Sequence, residues 1–205
     1  YSGRIPHIGE SHCLSFAHQN IYIKSKKLKI QPVLISGAKA WHFANIKNNL
    51  WKDSLDQQIN KHADSETIFI SFGEIDCRKD EGIMSYAIET NKDIKEVCEK
   101  TIQAYLQYME KKLSIDYPER YYFGVPAPTR QTKSPDELDI KRIELIKIYN
   151  SLLKKEVLSR NAYFIDVYAL TSKKNGENNN LHMCDTCHLS PKSLSILFTK
   201  YLYKT

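Results

Sequence analysis

The stretch Leu181-His182-Met183-Cys184-Asp185-Thr186-Cys187-His188-Leu189-Ser190-Pro191 carries three incompatible chemistries. Cys184-x-x-Cys187-His188 has the form of a c-type haem attachment site. His182, Cys184, Cys187 and His188 offer four ligands of the kinds that zinc takes. Asp185-x-x-His188 pairs an orienting acid with a general base, the arrangement that activates a serine. These residues alone leave all three open, so the choice depends on what else the chain supplies.

A base of that kind needs a serine. Gly9-Glu10-Ser11-His12 follows a short apolar run, where Gly9 permits a tight turn and Ser11 falls at the entrance of the next element. A hydroxyl there is exposed, and its own N–H can face a developing oxyanion. The plain alternative is an ordinary helix cap. Ser36-Gly37-Ala38 follows a second run, and its glycine either aims an N–H inward or simply makes a turn. Gly73-Glu74-Ile75-Asp76-Cys77-Arg78 follows a third. It sets Glu74, Asp76 and Arg78 at a rim, or pairs one acid with Arg78 in a capped turn. Pro126-Ala127-Pro128-Thr129-Arg130 follows a fourth, where Arg130 faces either solvent or a polyhydroxylated or anionic substrate. Asp185-x-x-His188 comes last. Its spacing lets one turn hold Nδ1 of His188 against Asp185 while Nε2 faces Ser11.

The elements that must position these groups show as an alternation. Residues 5–9, 32–35, 67–72, 121–125 and 162–167 are short apolar runs that read as strands. Apolar residues on both faces suit a parallel sheet covered on both sides. Helical patterns fill the gaps at 14–22, 40–50, 51–62, 92–113, 139–158 and 190–203, the last with Pro191 near its start. Strand and helix alternate as in a three-layer α/β domain, whose sites form outside the C-terminal strand ends. Residues 173–180 are polar and turn-rich, and read as an exposed loop. No repeat, low-complexity block or linker divides the chain, so residues 1–205 read as one domain.

Composition narrows the classes. With 205 residues, 41% apolar and 26% charged, the chain is globular and can bury a sizeable core. Thirty basic against 24 acidic residues give a charge of +6. The lysines are scattered through segments such as Lys24-Ser25-Lys26-Lys27-Leu28-Lys29, a solvated face rather than a nucleic-acid surface. No stretch is long and apolar enough to span a membrane, and no secretory signal is visible. Five cysteines are too few and too irregular for a disulfide scaffold. Their odd count favours reduced thiols and a cytoplasmic setting. The chain begins at Tyr1, as a mature protein or an excised domain would. It carries no mark of an oligomeric state.

Gly9-Glu10-Ser11, Gly37, Gly73-Glu74-Ile75-Asp76 and Asp185-x-x-His188, in that order, resemble the four blocks of the SGNH (GDSL-like) hydrolase superfamily. The resemblance spans nearly the whole chain. It implies a three-layer flavodoxin-like sandwich with a five-stranded parallel sheet. It further implies Ser11 as nucleophile, His188 as base, Asp185 as its partner, and oxyanion donors from the backbone of Ser11 and Gly37. No cofactor or metal enters this scheme. Two positions depart from the pattern. Glu10 replaces an Asp outside the catalytic set. Ile75 stands where the family has its oxyanion Asn, and losing one such donor typically costs about 10²–10³ in rate. Arg78 is the candidate replacement. Gly-Glu-Ile-Asp-Cys-Arg also resembles a variant found in SGNH-like domains of surface polysaccharide systems. The implied activity is cleavage of a small O-acetyl-type ester on a carbohydrate through an acyl-Ser11 intermediate, with Glu74, Asp76 and Arg130 at the substrate rim. An acyltransferase would use the same triad, and Ile75 would also suit an impaired module that only binds glycan. On this reading Cys184 and Cys187 are loop thiols.

Overall fold

The computed structural model describes residues 3–129, 134 and 136–204. Arg130, expected at the substrate rim, lies outside the described residues. The strands are β1 (Gly3–Gly9), β2 (Asn20–Ile23), β3 (Lys26–Leu34), β4 (Thr67–Ser71), β5 (Glu119–Phe123), β6 (Tyr163–Ile165) and β7 (Leu202–Tyr203). They form one sheet in the order β2-β3-β1-β4-β5-β6-β7. The inner strands β3, β1, β4, β5 and β6 run parallel. Strand β2 is antiparallel to β3, and β7 is antiparallel to β6. The sheet is thus seven-stranded and mixed, not the five-stranded parallel sheet expected from sequence.

Both added strands have local causes. The expected helix at 14–22 does not form. Ser11–Leu14 is a single 3₁₀ turn, and the chain then enters β2. Lys24 and Ser25, with φ of 48° and 65°, supply the two positive values that a two-residue hairpin loop requires. The lysine-rich stretch is therefore an edge hairpin, where charge discourages pairing with another chain. At the other edge the expected helix at 190–203 is shorter. It spans Ser193–Lys200, and the chain then extends into β7.

Among the described residues, seven α-helices complete the layers: α1 (Ala40–Ala44), α2 (Leu50–Lys61), α3 (Gly82–Glu89), α4 (Ile94–Leu113), α5 (Glu137–Leu158), α6 (Val167–Thr171) and α7 (Ser193–Lys200). The pattern at 40–50 stops at Ala44 because Asn49 caps a new helix, its side chain accepting from the Lys52 N–H. Alternation along the strands divides the core. Ile68 and Ile70 of β4 pack with Leu55 and Ile59 of α2, Ile102 and Leu106 of α4, and Leu145 and Leu153 of α5. Phe69, between them in sequence, joins Phe16, Phe123, Leu170 of α6 and Leu197 of α7 on the opposite face. Each such side chain, fully buried, contributes about 1.5–3 kcal/mol. His7 of β1 lies in this second layer beside the rings of Phe16, Phe69 and Phe123. Burial, with the nearby charge of His12, pushes its pKa down to about 3, so it packs as a neutral ring. The chain runs from β1 out to β3 and returns to β4 on the other side of β1. The strand order reverses there, and a crevice opens outside the C-terminal strand ends.

Candidate active site

Strand β1 ends against β4 so closely that a Cβ on Gly9 would lie 2.5 Å from the Ser71 carbonyl oxygen. Only glycine fits, and the Glu10 N–H reaches the same carbonyl at 3.3 Å. Ser11 then opens the 3₁₀ turn, which the buried Glu10 side chain caps. Glu10 Oε2 accepts from the His12 N–H at 3.1 Å and lies 2.9 Å from His12 Nδ1. The other ring nitrogen of His12, Nε2, is 3.1 Å from the Cys187 carbonyl oxygen. A carboxylate and a carbonyl can only accept, so both nitrogens of His12 carry protons and the ring is an imidazolium. Burial opposes that charge, but Glu10 and Cys187 outweigh it and hold the His12 pKa well above the usual histidine range. Burial likewise raises the Glu10 carboxyl, and His12 pulls it back below the ordinary value.

The opposite wall is the loop after α6. Met183 and Leu189 pair as an antiparallel bridge, and Ser190 N–H donates to the His182 carbonyl at 2.8 Å. Leu189 is buried in the second core layer with Met183 against it, which anchors the loop at both ends. At its tip, Asp185 Oδ1 accepts from the N–H groups of Cys187 (2.7 Å) and His188 (2.6 Å). Asp185 Oδ2 lies 2.8 Å from His188 Nδ1. The two backbone donors, with the ring, hold the Asp185 pKa at about 2, so the group is a carboxylate at neutral pH. His188 Nε2 lies 2.9 Å from Ser11 Oγ, across 177 residues of sequence. Ser11, His188 and Asp185 thus form a continuous hydrogen-bonded relay.

The segment after β4 takes the capped-turn alternative, with Arg78 paired to Glu74, and not the open rim. Asp76 is not at a rim. It is fully buried beneath one, and its two oxygens accept from the Ala40 and Trp41 N–H groups at 2.7 and 3.0 Å. It caps α1, and burial pushes its pKa up to about 6 against those two donors. Glu74 is also buried. It takes Nε and Nη2 of Arg78 at 2.9 and 2.7 Å and Nη2 of Arg142 at 3.0 Å. Ile75 is buried in the 3₁₀ turn Ile75–Cys77 and offers no side-chain donor. Gly37 is exposed after β3, with φ of 66°. Glu74, Arg78 and Arg142 line a cavity of about 540 Å³ with Pro126, Thr129 and Cys187. Thr129 Oγ1 is buried there without a hydrogen-bond partner among the described residues. The two thiols of the loop face different partners. Cys184 Sγ lies 3.4 Å from the His188 carbonyl oxygen, whereas Cys187 Sγ lies 3.8 Å from His12 Nε2.

No family model and no curated protein matches the sequence. Solved structures do match the fold. A Streptococcus pneumonia protein provisionally described as a platelet activating factor superposes with a TM-score of 0.60 at 18% identity, covering 99% of this chain and 85% of that one. A variant of an acetyl-xylooligosaccharide esterase from Geobacillus stearmophilus gives 0.53 at 11% identity, covering 97% and 93%. The extracellular lipase of Streptomyces rimosus gives 0.51 at 13%, covering 96% of both.

The fold is the one these esterase and lipase structures share.

Within this fold, two features of the site escaped the sequence. One is the Glu10–His12 pair, because Glu10 reads only as a replacement of Asp outside the catalytic set. An acid at a cap position two residues before a histidine was the available signal. The other is Arg142, which reaches Glu74 from α5 across 68 residues. Its position in a regular helical pattern gave no sign of this.

Proposed function

We propose that the chain is a serine esterase that removes a small acyl group, of the O-acetyl type, from a carbohydrate. The observation that carries this reading is the relay from Ser11 Oγ through His188 to Asp185, with 2.9 and 2.8 Å links. Ser11 attacks the ester carbonyl while His188 Nε2 takes its proton, and Asp185 stabilises the imidazolium that results. Backbone N–H groups of Ser11 and Gly37 donate to the tetrahedral oxyanion. Arg78, with Nε and Nη2 spent on Glu74, keeps Nη1 for the same task in place of the missing Asn. His188 returns the proton to the leaving sugar hydroxyl, then activates water against acyl-Ser11.

The cavity beside Cys187 supports this substrate class. Its wall of Arg78, Arg142, Glu74 and Thr129 suits a hydroxyl-bearing group better than a long acyl chain. One solved structure with this fold is an acetyl-xylooligosaccharide esterase, which is compatible with that choice. The test is labelling with a serine-directed fluorophosphonate, mapped by mass spectrometry in the parent and in His188→Ala. The expected result is a single adduct on Ser11 that depends on His188. Turnover of an aryl acetate without any adduct at Ser11 would overturn the reading.

A further inference from the structure

We propose that His12, Cys187 and His188 form a binding site for a borderline-soft divalent cation of the zinc class, set across the proposed catalytic base. One ligand atom from each of the three lies within 4.8 Å of the others. Two imidazole nitrogens and a thiolate are a ligand set that zinc accepts in tetrahedral geometry, with the fourth position left for water. The orientation of the rings carries the argument further. His12 Nδ1 is held by Glu10, and His188 Nδ1 is held by Asp185. Each histidine therefore has a carboxylate behind it and Nε2 in front, the arrangement that fixes metal-bound imidazoles and raises their basicity. His12 Nε2 faces Cys187 Sγ at 3.8 Å, and His188 Nε2 faces Ser11. The His12 and His188 rings are 5.0 Å apart, centre to centre.

This site is not the one suggested by the Cys-x-x-Cys-His spacing. His182 and Cys184 lie outside the cluster, and Cys184 Sγ is turned toward the carbonyls of His188 and Leu189. His12, from the other end of the chain, replaces them. Binding exchanges protons for the ion. The cation takes the place of the proton that His12 Nε2 shares with the Cys187 carbonyl and of the Cys187 thiol proton, so both are released. It also takes the lone pair of His188 Nε2. That part of the inference rests on the proposed esterase mechanism: with the lone pair occupied, Ser11 has no base and hydrolysis stops.

The test is titration of the purified chain with Zn²⁺ alone, in competition with a chromogenic chelator. The expected result is one equivalent bound in the parent. Removing a group that only orients a ligand already weakens metal sites by about 10–100-fold, so Cys187→Ala should weaken binding by more than about 100-fold. Cys184→Ala and His182→Ala should bind as the parent does. Co²⁺ in place of Zn²⁺ should show a thiolate charge-transfer band that Cys187→Ala lacks. No bound equivalent, binding undiminished by Cys187→Ala, or binding lost in Cys184→Ala would each overturn the site. Zn²⁺ should also abolish aryl acetate turnover by the parent. Zinc bound through Cys187 without loss of turnover would overturn the placement across the base. Titration reads the ion directly, so a failure of the esterase reading leaves it intact, and an active enzyme that binds no zinc refutes only this site.

Discussion

Asp76→Asn tests whether Asp76 is a buried cap and not a substrate contact. An aspartate ordinarily titrates near 3.8, and this one is pushed up to about 6 by full burial. At 1.36 kcal/mol for each tenfold change in proton affinity, the difference amounts to about 3 kcal/mol. The sign follows from linkage. Between the two values the folded protein binds the proton and the unfolded chain does not, so this group lowers stability as pH rises from about 4 to about 6. Above about 6 the full cost remains. Asparagine removes the titration. It keeps one acceptor for the Ala40 and Trp41 N–H groups and turns an NH₂ toward the other donor, which costs about 1–3 kcal/mol at every pH. Urea unfolding at pH 4.5, 5.5 and 7.0, with the slope m checked for constancy, reads the difference. Asp76→Asn should be the less stable protein at pH 4.5, and its deficit should shrink by about 2 kcal/mol by pH 7, because about 1 kcal/mol of the full cost is already present at pH 4.5. Parallel stability profiles for the two proteins across this range would refute the argument, because a titrating group confined to Asp76 must make them converge.

Three further substitutions separate roles within the site. Asp185→Asn removes the carboxylate that holds His188 Nδ1 and should lower kcat on an aryl acetate by about 10²–10⁴-fold with little change in KM. Arg78→Ala should cost about 10²–10³ in kcat if its Nη1 serves the oxyanion, and unchanged kcat would remove it from that role. Gly73→Ala should destabilise the fold by about 2–4 kcal/mol in urea unfolding. Gly73 has φ of 129°, and a Cβ there would lie 2.3 Å from Tyr149 Oη.

What could be read from the sequence was what local pattern decides. Strand β4 is buried along its whole length, so its apolar run shows no alternation and reads plainly. Helix α4 repeats Val97, Ile102, Tyr105 and Met109 on one face behind an Asp93 cap, and its pattern could not be mistaken for a strand. The blocks that carry Ser11 and His188 each sit at a strand end or after one, where the fold concentrates chemistry. What could not be read was decided at a distance or against local preference. The segment 14–22 has helical spacing. The strand state of its last residues, from Asn20, depends on Lys24 and Ser25 adopting positive φ without glycine or asparagine to announce a turn. Asp76 beside Arg78 looks like a surface pair. Its carboxylate is instead spent on α1, some 36 residues earlier, a pairing that no local window contains. Arg78 meanwhile binds Glu74, the other acid of the same block.

The Glu10–His12 pair bears on how Ser11 is poised. Ser11 has one hydroxyl proton and two acceptors in reach, Glu10 Oε2 at 3.1 Å and His188 Nε2 at 2.9 Å. An unpartnered buried carboxylate would be the stronger acceptor and would hold the proton away from the base. Glu10 Oε2 is not unpartnered: it already takes the N–H and the ring of His12, whose charge neutralises it. Loaded in this way it competes weakly, and the Ser11 proton is left to His188, as the proposed mechanism requires. When the resting His188 takes a proton from solvent at low pH, with Ser11 still a free hydroxyl, the roles reverse. Its Nε2–H then donates to Ser11 Oγ, and the serine can turn its own proton to Glu10. Glu10 thus gives Ser11 a second resting partner, available when the relay is charged and outcompeted when it is neutral. The longer side chain matters to this arrangement, since it curls back to cap the 3₁₀ turn and still meets the His12 ring. Glu10, a departure outside the catalytic set of the pattern that the sequence resembles, is therefore the position that governs which way the Ser11 proton points.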